Sequence, residues 1–161
     1  MSERIPISAA GMRRMKEELK HLQTVERPKI SAEIEVARAH GDLRENAEYH
    51  AAKEKQGHIE GRIMDLNGWI QHAEVIEIDK LKGDKIVFGA TVELLDLESD
   101  KKVTYTILGE FEADLKKRRI SSKSPVAQGL LGKQTGDTVA IQSPGGLREY
   151  EVLSVKFLDA E

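Results

Sequence analysis

Two runs of apolar residues at alternating steps of three and four constrain this chain more than any other feature. The second run, Tyr49, Ala52, Gln56, Ile59, Ile63, Leu66, Ile70 and Ala73, keeps the alternation without a slip, which is the seam of a coiled coil. The first follows Ser8 with Met12, Met15, Leu19 and Leu22 and then slips. Glu26 takes the next seam position, Pro28 follows, and the apolar face resumes at Ile30, Ile34 and Ala37. An added four-residue step locally unwinds a supercoil, and a proline can kink a helix. Between the runs, His40-Gly41 reads as a helix C-terminus, with glycine supplying the left-handed cap. The joint at Gly41-Asp42 is only a few residues long, so the helices must fold back antiparallel. Each arm, of roughly 28 to 33 residues, would be ~40 to 50 Å long at 1.5 Å per residue.

From about Val75 the period changes. The stretches "KIVFGATVELLDLES" and "KKVTYTILG" are β-branched runs separated by turn residues, and "DTVAIQSPGGLREYEVLSVKF" reads as two strands joined through Pro144-Gly145-Gly146. Between them "SPVAQGLLGK" predicts a short helix, with Ser124 as N-cap, Pro125 at the first helical position and Gly132 at the end. The expected architecture is α+β, with a helical hairpin over residues 1–75 and a mostly antiparallel sheet with one helix over 76–161.

The charge pattern limits what such a hairpin can do alone. Charged residues make up 33% of the 161 and aromatics 4%, which suits long exposed helices better than a large compact enzyme. Residues 1–75 hold 12 basic and 13 acidic side chains and residues 76–161 hold 13 and 15, so neither half is a basic nucleic-acid domain and the net charge is -3. A nucleic-acid role would have to be local or reached through a partner. Disulfides, thiolate zinc sites and cysteine nucleophiles are excluded, because there is no cysteine. The five histidines form no tight cluster or HExxH pattern, and neither a phosphate-binding glycine loop nor a G-x-S-x-G elbow is present. The start, MSERIPISAAGMRR, has no long apolar run or cleavage-site pattern, and nothing later approaches the ~20 apolar residues needed to span a bilayer. A cytoplasmic protein without a membrane or small-molecule substrate is expected, and an independent enzyme is not.

Chemistry then concentrates in the turn. Extending the return seam back from Tyr49 by four and then three residues reaches Glu45 and Asp42, about 5 to 6 Å apart at Cβ if both are helical. Asp42-Leu43-Arg44-Glu45 is also a capping box, and both charges would favour the positive end of the helix dipole. The two roles are compatible, because a cap at an exposed tip still presents oxygens outward. Mg²⁺ is usually held by one or two carboxylates plus waters and substrate phosphates, so two carboxylates make half a site, to be completed by a partner that owns the rest.

The stretch "GDLRENAEYHAAKE" with "EGRI" after it resembles the hallmark of the Gre transcript cleavage factors of bacterial RNA polymerase. "SSKSPVAQGLLGK" is similar to the family's second signature, while "FGATVEL" and "SPGGLREYEV" fit the same C-terminal domain. The resemblance covers essentially the whole chain in order and is closest to the GreA branch. It implies an FKBP-like second domain that docks at the rim of the polymerase secondary channel, and it does not imply isomerase activity. It also implies a coiled coil that enters the channel, with Asp42 and Glu45 helping to hold Mg²⁺ at the polymerase active site. The polymerase then cleaves the 3′ end of a backtracked nascent RNA, and the factor is catalytically inert alone.

The same resemblance implies contact between Arg38 and Lys53, on opposite arms near the tip, and the RNA 3′ end. Ordinary interhelical ion pairs worth under ~1 kcal/mol explain them equally well from the residues alone. Arg44 could pair with its acidic neighbours or touch phosphate. Tyr49 is a packing residue, and Asn46 is expected to orient the tip. Ser121, Ser124 and Pro125 match the second signature and so fall in the docking domain, where Ser124-Pro125 also initiates a helix. The run Lys116-Lys117-Arg118-Arg119 matches no family motif, and reads either as a solvated loop or as a site for phosphate or an acidic protein surface. Two other readings remain: a regulator that blocks the channel without stimulating cleavage, and a coiled-coil chaperone unconnected to transcription.

Overall fold

The computed structural model describes residues 4–158. Their contacts separate residues 13–72 from a second unit, in which residues 4–12 join those from 73 onward. The expected division at 75 is therefore corrected at the N-terminus. Strand β1 (Ile5–Ser8) pairs in parallel with β2 (Ala73–Ile76), from Ile5 opposite Ala73 to Ser8 opposite Ile76. Helix α1 (Ala9–His21) starts directly after β1, with the Ser8 hydroxyl accepting the Gly11 N–H at 3.0 Å.

In the first unit, α1 runs into a π-helical turn at Leu22–Glu26, then α2 (Arg27–Arg38), a tip turn and α3 (Ala47–His72). The expected seam is the core: Ile30, Ile34, Ala52, Ile59 and Ile63 are buried together, with Leu19, Leu22 and Tyr49 packed against them. Two bidentate pairs bridge the arms, Arg27 to Glu60 at 2.8 and 2.8 Å and Arg62 to Glu18 at 2.7 and 2.9 Å, fixing their antiparallel register. Where the sequence slips, Arg27 donates its N–H five residues back to the Leu22 carbonyl, and the Thr24 hydroxyl donates to the Lys20 carbonyl at 2.7 Å. The slip is thus a widened turn that takes in one extra residue just ahead of Pro28.

The second unit is built on a five-stranded sheet in the order β5-β4-β3-β7-β6, with β3 (Ala90–Asp96), β4 (Lys102–Leu108), β5 (Arg119–Ser121), β6 (Thr138–Ser143) and β7 (Gly146–Phe157). All neighbours are antiparallel except β4 and β5, so the sheet is mixed. Strict alternation along β3 sends Ala90, Val92 and Leu94 into a core with Ile107, Ile141 and Val152. The short helix α4 (Pro125–Leu130) closes that core with Ala127 and Leu130, and the β6–β7 hairpin turns at Pro144-Gly145 as the sequence predicts. At the end of β3, Asp96 accepts N–H groups from Glu98 and Ser99 and an ion pair from Arg148 at 2.8 Å. Those backbone hydrogen bonds, Glu98 foremost, hold its carboxyl below the usual range against the opposing effect of burial.

Residues 4–12 are tied to this unit by one buried carboxylate. Glu112 accepts the Ser8 N–H at 3.1 Å, the Gly109 N–H at 3.0 Å and the Ser8 hydroxyl. A Cβ at Gly11 would run into the Glu112 carboxylate, which would have to shift. Among the described residues no helix is long and apolar enough to cross a membrane.

Candidate functional site at the hairpin tip

Helix α2 ends at Arg38, and the chain reverses through Gly41, whose φ of +119° is open to glycine and strained for other residues. Residues 42–46 are not helical, and this overturns the expected capping box. Asn46, not Asp42, caps α3. Its Oδ1 accepts the Tyr49 N–H at 3.0 Å, while its Nδ2 donates to the Ala37 carbonyl on the opposite arm at 2.6 Å. One amide thus starts the return helix and ties off the exposed end of the outgoing one. The His50 Nε2 lies 3.0 Å from the Arg44 carbonyl and braces the turn from the first turn of α3.

The two carboxylates are left outside this scaffold. Asp42 uses Oδ1 to accept the Arg44 N–H at 3.0 Å, an Asx turn that leaves Oδ2 to solvent. Glu45 is exposed and, among the described residues, has no hydrogen-bond or ion-pair partner. Both line an open hollow with His40, Asn46, Ala47 and Glu48. Because neither is helical, their relation is set by the turn and not by one helical step. The donor set consists of hard oxygens, which suits Mg²⁺, and among the described residues no three acidic or histidine side chains assemble into a metal site.

Arg38 and Lys53 come together across the arms, lining one shallow hollow with Ser31, Ile34, Glu35 and Gln56. Arg38 lies 3.6 Å from Glu35 and 6.0 Å from the Tyr49 ring centre, and Lys53 donates to Gln56 at 3.1 Å. The Arg44 guanidinium pairs with neither acidic neighbour. Ser121 and Ser124 are half-buried, and their hydroxyls shape the β5–α4 loop by accepting the Lys123 N–H at 3.1 Å and the Ala127 N–H at 3.2 Å. Pro125 is exposed at the first position of α4. The basic run is split, since Lys116, Lys117 and Arg118 are exposed while Arg119 is 8% exposed at the start of β5.

The chain thus carries a helical hairpin, whose tip presents carboxylates that its own capping does not use, and a mixed-sheet unit. Residues 5–75 match the family model "Transcription elongation factor, N-terminal", and residues 81–157 match "Transcription elongation factor, GreA/GreB, C-term". The chain is 58% identical to transcription elongation factor GreA of Anaeromyxobacter sp. (strain K), over 99% of this chain and 96% of that one. It is 55% identical to GreA of Xylella fastidiosa (strain 9a5c), over 96% and 99%. Among solved structures, GreA factor homolog 1 of Thermus thermophilus is 25% identical over 95% of this chain and 99% of that one, with a TM-score of 0.44. The chain belongs to the GreA/GreB family of transcription elongation factors.

Proposed function

We propose that the chain binds bacterial RNA polymerase, inserts its hairpin into the secondary channel and stimulates the polymerase's intrinsic cleavage of backtracked RNA 3′ ends, rescuing arrested complexes. The observation that carries this reading is the division of labour at the tip. Asn46 caps α3 and joins the arms, so Asp42 and Glu45 keep oxygens free for a partner. Asp42 and Glu45 would hold Mg²⁺ jointly with the polymerase. That ion, when bound, helps activate a water and steady the leaving oxygen of the cleaved phosphodiester. The rest falls to the chain's own groups. Gly41 and Asn46 fix the turn, and the interhelical seam with its two bidentate pairs keeps the arm straight enough to deliver it. Arg38, Lys53 and Arg44 supply positive charge near the carboxylates for the RNA 3′ end. Ser121, Ser124 and Pro125 lie on the docking side of the sheet unit, and the protein works in the cytoplasm beside the polymerase. The chain itself has no catalytic centre in this scheme.

The test is Mg²⁺-dependent cleavage in stalled, backtracked polymerase complexes with Asp42→Asn and Glu45→Gln. Both substitutions are expected to remove most of the stimulation and to leave melting temperature and polymerase affinity in place. Asparagine can still accept the Arg44 N–H, and Glu45 has no bond to lose. Unchanged cleavage would refute the lent-carboxylate mechanism and leave the channel-blocking regulator as the reading.

A further inference from the structure

The basic run that opens at Lys116 has no part in the proposed tip chemistry, yet its turn is held by several hydrogen bonds. Leu115–Lys117 forms a single 3-10 turn, and Arg118 closes it in the left-handed region at φ 57°. Asp114 locks the turn from within. Its Oδ1 accepts the Lys116 N–H at 3.1 Å, its carbonyl accepts those of Lys117 at 3.1 Å and Arg119 at 2.9 Å, and its own N–H donates to the Arg119 carbonyl at 2.8 Å. On this rigid turn Leu115 is 79% exposed, more than any other large hydrophobic residue among those described. Lys116, Lys117 and Arg118 follow it in sequence, all exposed and, among the described residues, without an ion pair.

Nearby carboxylates do not compensate them. Glu110 pairs with Lys123 at 3.5 Å, Glu112 is buried on Ser8 and Gly109, and Asp114 is committed to the turn. Three cations without an ion pair among the described residues, one of them an arginine in the left-handed region, follow an exposed leucine on a chain of net charge -3, an arrangement suited to a contact surface.

We propose that Leu115, Lys116, Lys117 and Arg118 form a docking knob for an acidic protein surface with an apolar notch. The leucine favours protein over nucleic acid, because a phosphate backbone offers cations a partner but an aliphatic side chain none. The locked turn lowers the ordering cost of binding, and the cations steer the approach. The inference rests on the proposed function, which puts the acidic surface on RNA polymerase. The knob leads straight into β5 and the Ser121–Pro125 segment.

The experiment titrates purified core RNA polymerase with labelled full-length chain at low and high salt. It compares wild type, Leu115→Ser and the triple variant Lys116→Glu/Lys117→Glu/Arg118→Glu. Leu115→Ser should weaken binding ~5- to 20-fold, and the triple variant by more than ~30-fold at low salt, the gap narrowing as salt rises. The half-saturating concentration for cleavage should rise in step, whereas Asp42→Asn lowers the plateau instead. Equal affinity of all three chains overturns the inference and leaves the proposed function standing, while a wild type that fails to bind polymerase overturns both. A polyuridine oligonucleotide serves as second probe, and a loss confined to it would overturn the protein-surface assignment in favour of a nucleic-acid contact.

Discussion

Deleting Thr24 should leave the hairpin in phase, although removing one residue from the middle of a coiled-coil helix ordinarily destroys its seam. At 100° per residue, the eight steps from Leu22 to Ile30 turn the helix roughly 800°, about 80° past two full turns. The π-turn takes up one residue and leaves an effective seven steps, roughly 700°, so Ile30, Ile34 and Ala37 still meet α3. Removing Thr24 converts the widened turn to a plain α-helical one with the same phase. It also brings Pro28 into an ordinary helix interior, where its ring meets a carbonyl four residues back at a cost of about 3 kcal/mol. The informative variant therefore combines the Thr24 deletion with Pro28→Ala and should unfold within about 1 kcal/mol of wild type. Deleting Ser31, by contrast, rotates Ile34 and Ala37 by about 100° away from the seam and loses on the order of 3 kcal/mol of burial. At about 2 to 4 °C per kcal/mol for a chain of this size, that lowers the melting temperature by roughly 6 to 12 °C. Thermal unfolding followed by circular dichroism at the helical band reads the difference. If the Thr24 deletion with Pro28→Ala melts as early as the Ser31 deletion, the phase argument is wrong.

Two further outcomes follow from side-chain bonds. Asn46→Ala removes the N-cap of α3 and the link to the Ala37 carbonyl and should cost about 1 to 2 kcal/mol by thermal melt, whereas Asp42→Ala, which removes only the bond to the Arg44 N–H, should cost less, the reverse of what a capping box at Asp42 would give. Glu18 has its carboxyl lowered from the ordinary 4.5, first by the Arg62 hydrogen bond and against a desolvation effect that raises it. A depressed folded value contributes stability above the unfolded value that is lost as pH falls through the folded one. Melting temperature should therefore decline below about pH 4.5, and Glu18→Gln should flatten part of that limb. The effect stays under about 1 kcal/mol because the pair is largely solvated.

Where the sequence predicted well, one period carried the information. Every buried position of the α2–α3 core lies on the seam read from steps of three and four, and the β6–β7 turn follows from Pro144-Gly145 alone. What escaped the sequence depended on distant partners. Ile5–Ser8 is four residues with no pattern of its own, and only β2, at the far end of α3, makes it a strand. Arg119 belongs to a run of four cations by composition, but the β4–β5 pairing buries it and divides the run. The slip at Glu26 was compatible with supercoil unwinding or a kink, and the π-turn was not legible, because a four-four step fixes an excess of phase and not the means of absorbing it.

The tip shows the same limit where it matters most for function. Asp42 and Asn46 are both good N-cap residues, four positions apart, each followed at the third place by a residue able to sit in a first helical turn. Local preference cannot choose between them. The choice is made by the Ala37 carbonyl at the end of the other arm, which accepts the His40 N–H at 3.1 Å and has a second lone pair open to a donor from the turn. Only an amide can donate to that carbonyl while its oxygen caps a helix; a carboxylate at the same place would set two acceptors against each other. Helix α3 therefore starts at Ala47, and residues 42–45 remain an open turn with Asp42 and Glu45 facing solvent. Asp42 gives one oxygen to the Arg44 N–H and keeps the other open, and Glu45 keeps both, so under the proposed function neither has to break a bond of the fold to meet a metal ion. The arrangement thus separates stability from chemistry at the residue level, which is why substitutions at Asn46 and at Asp42 should fail in opposite assays.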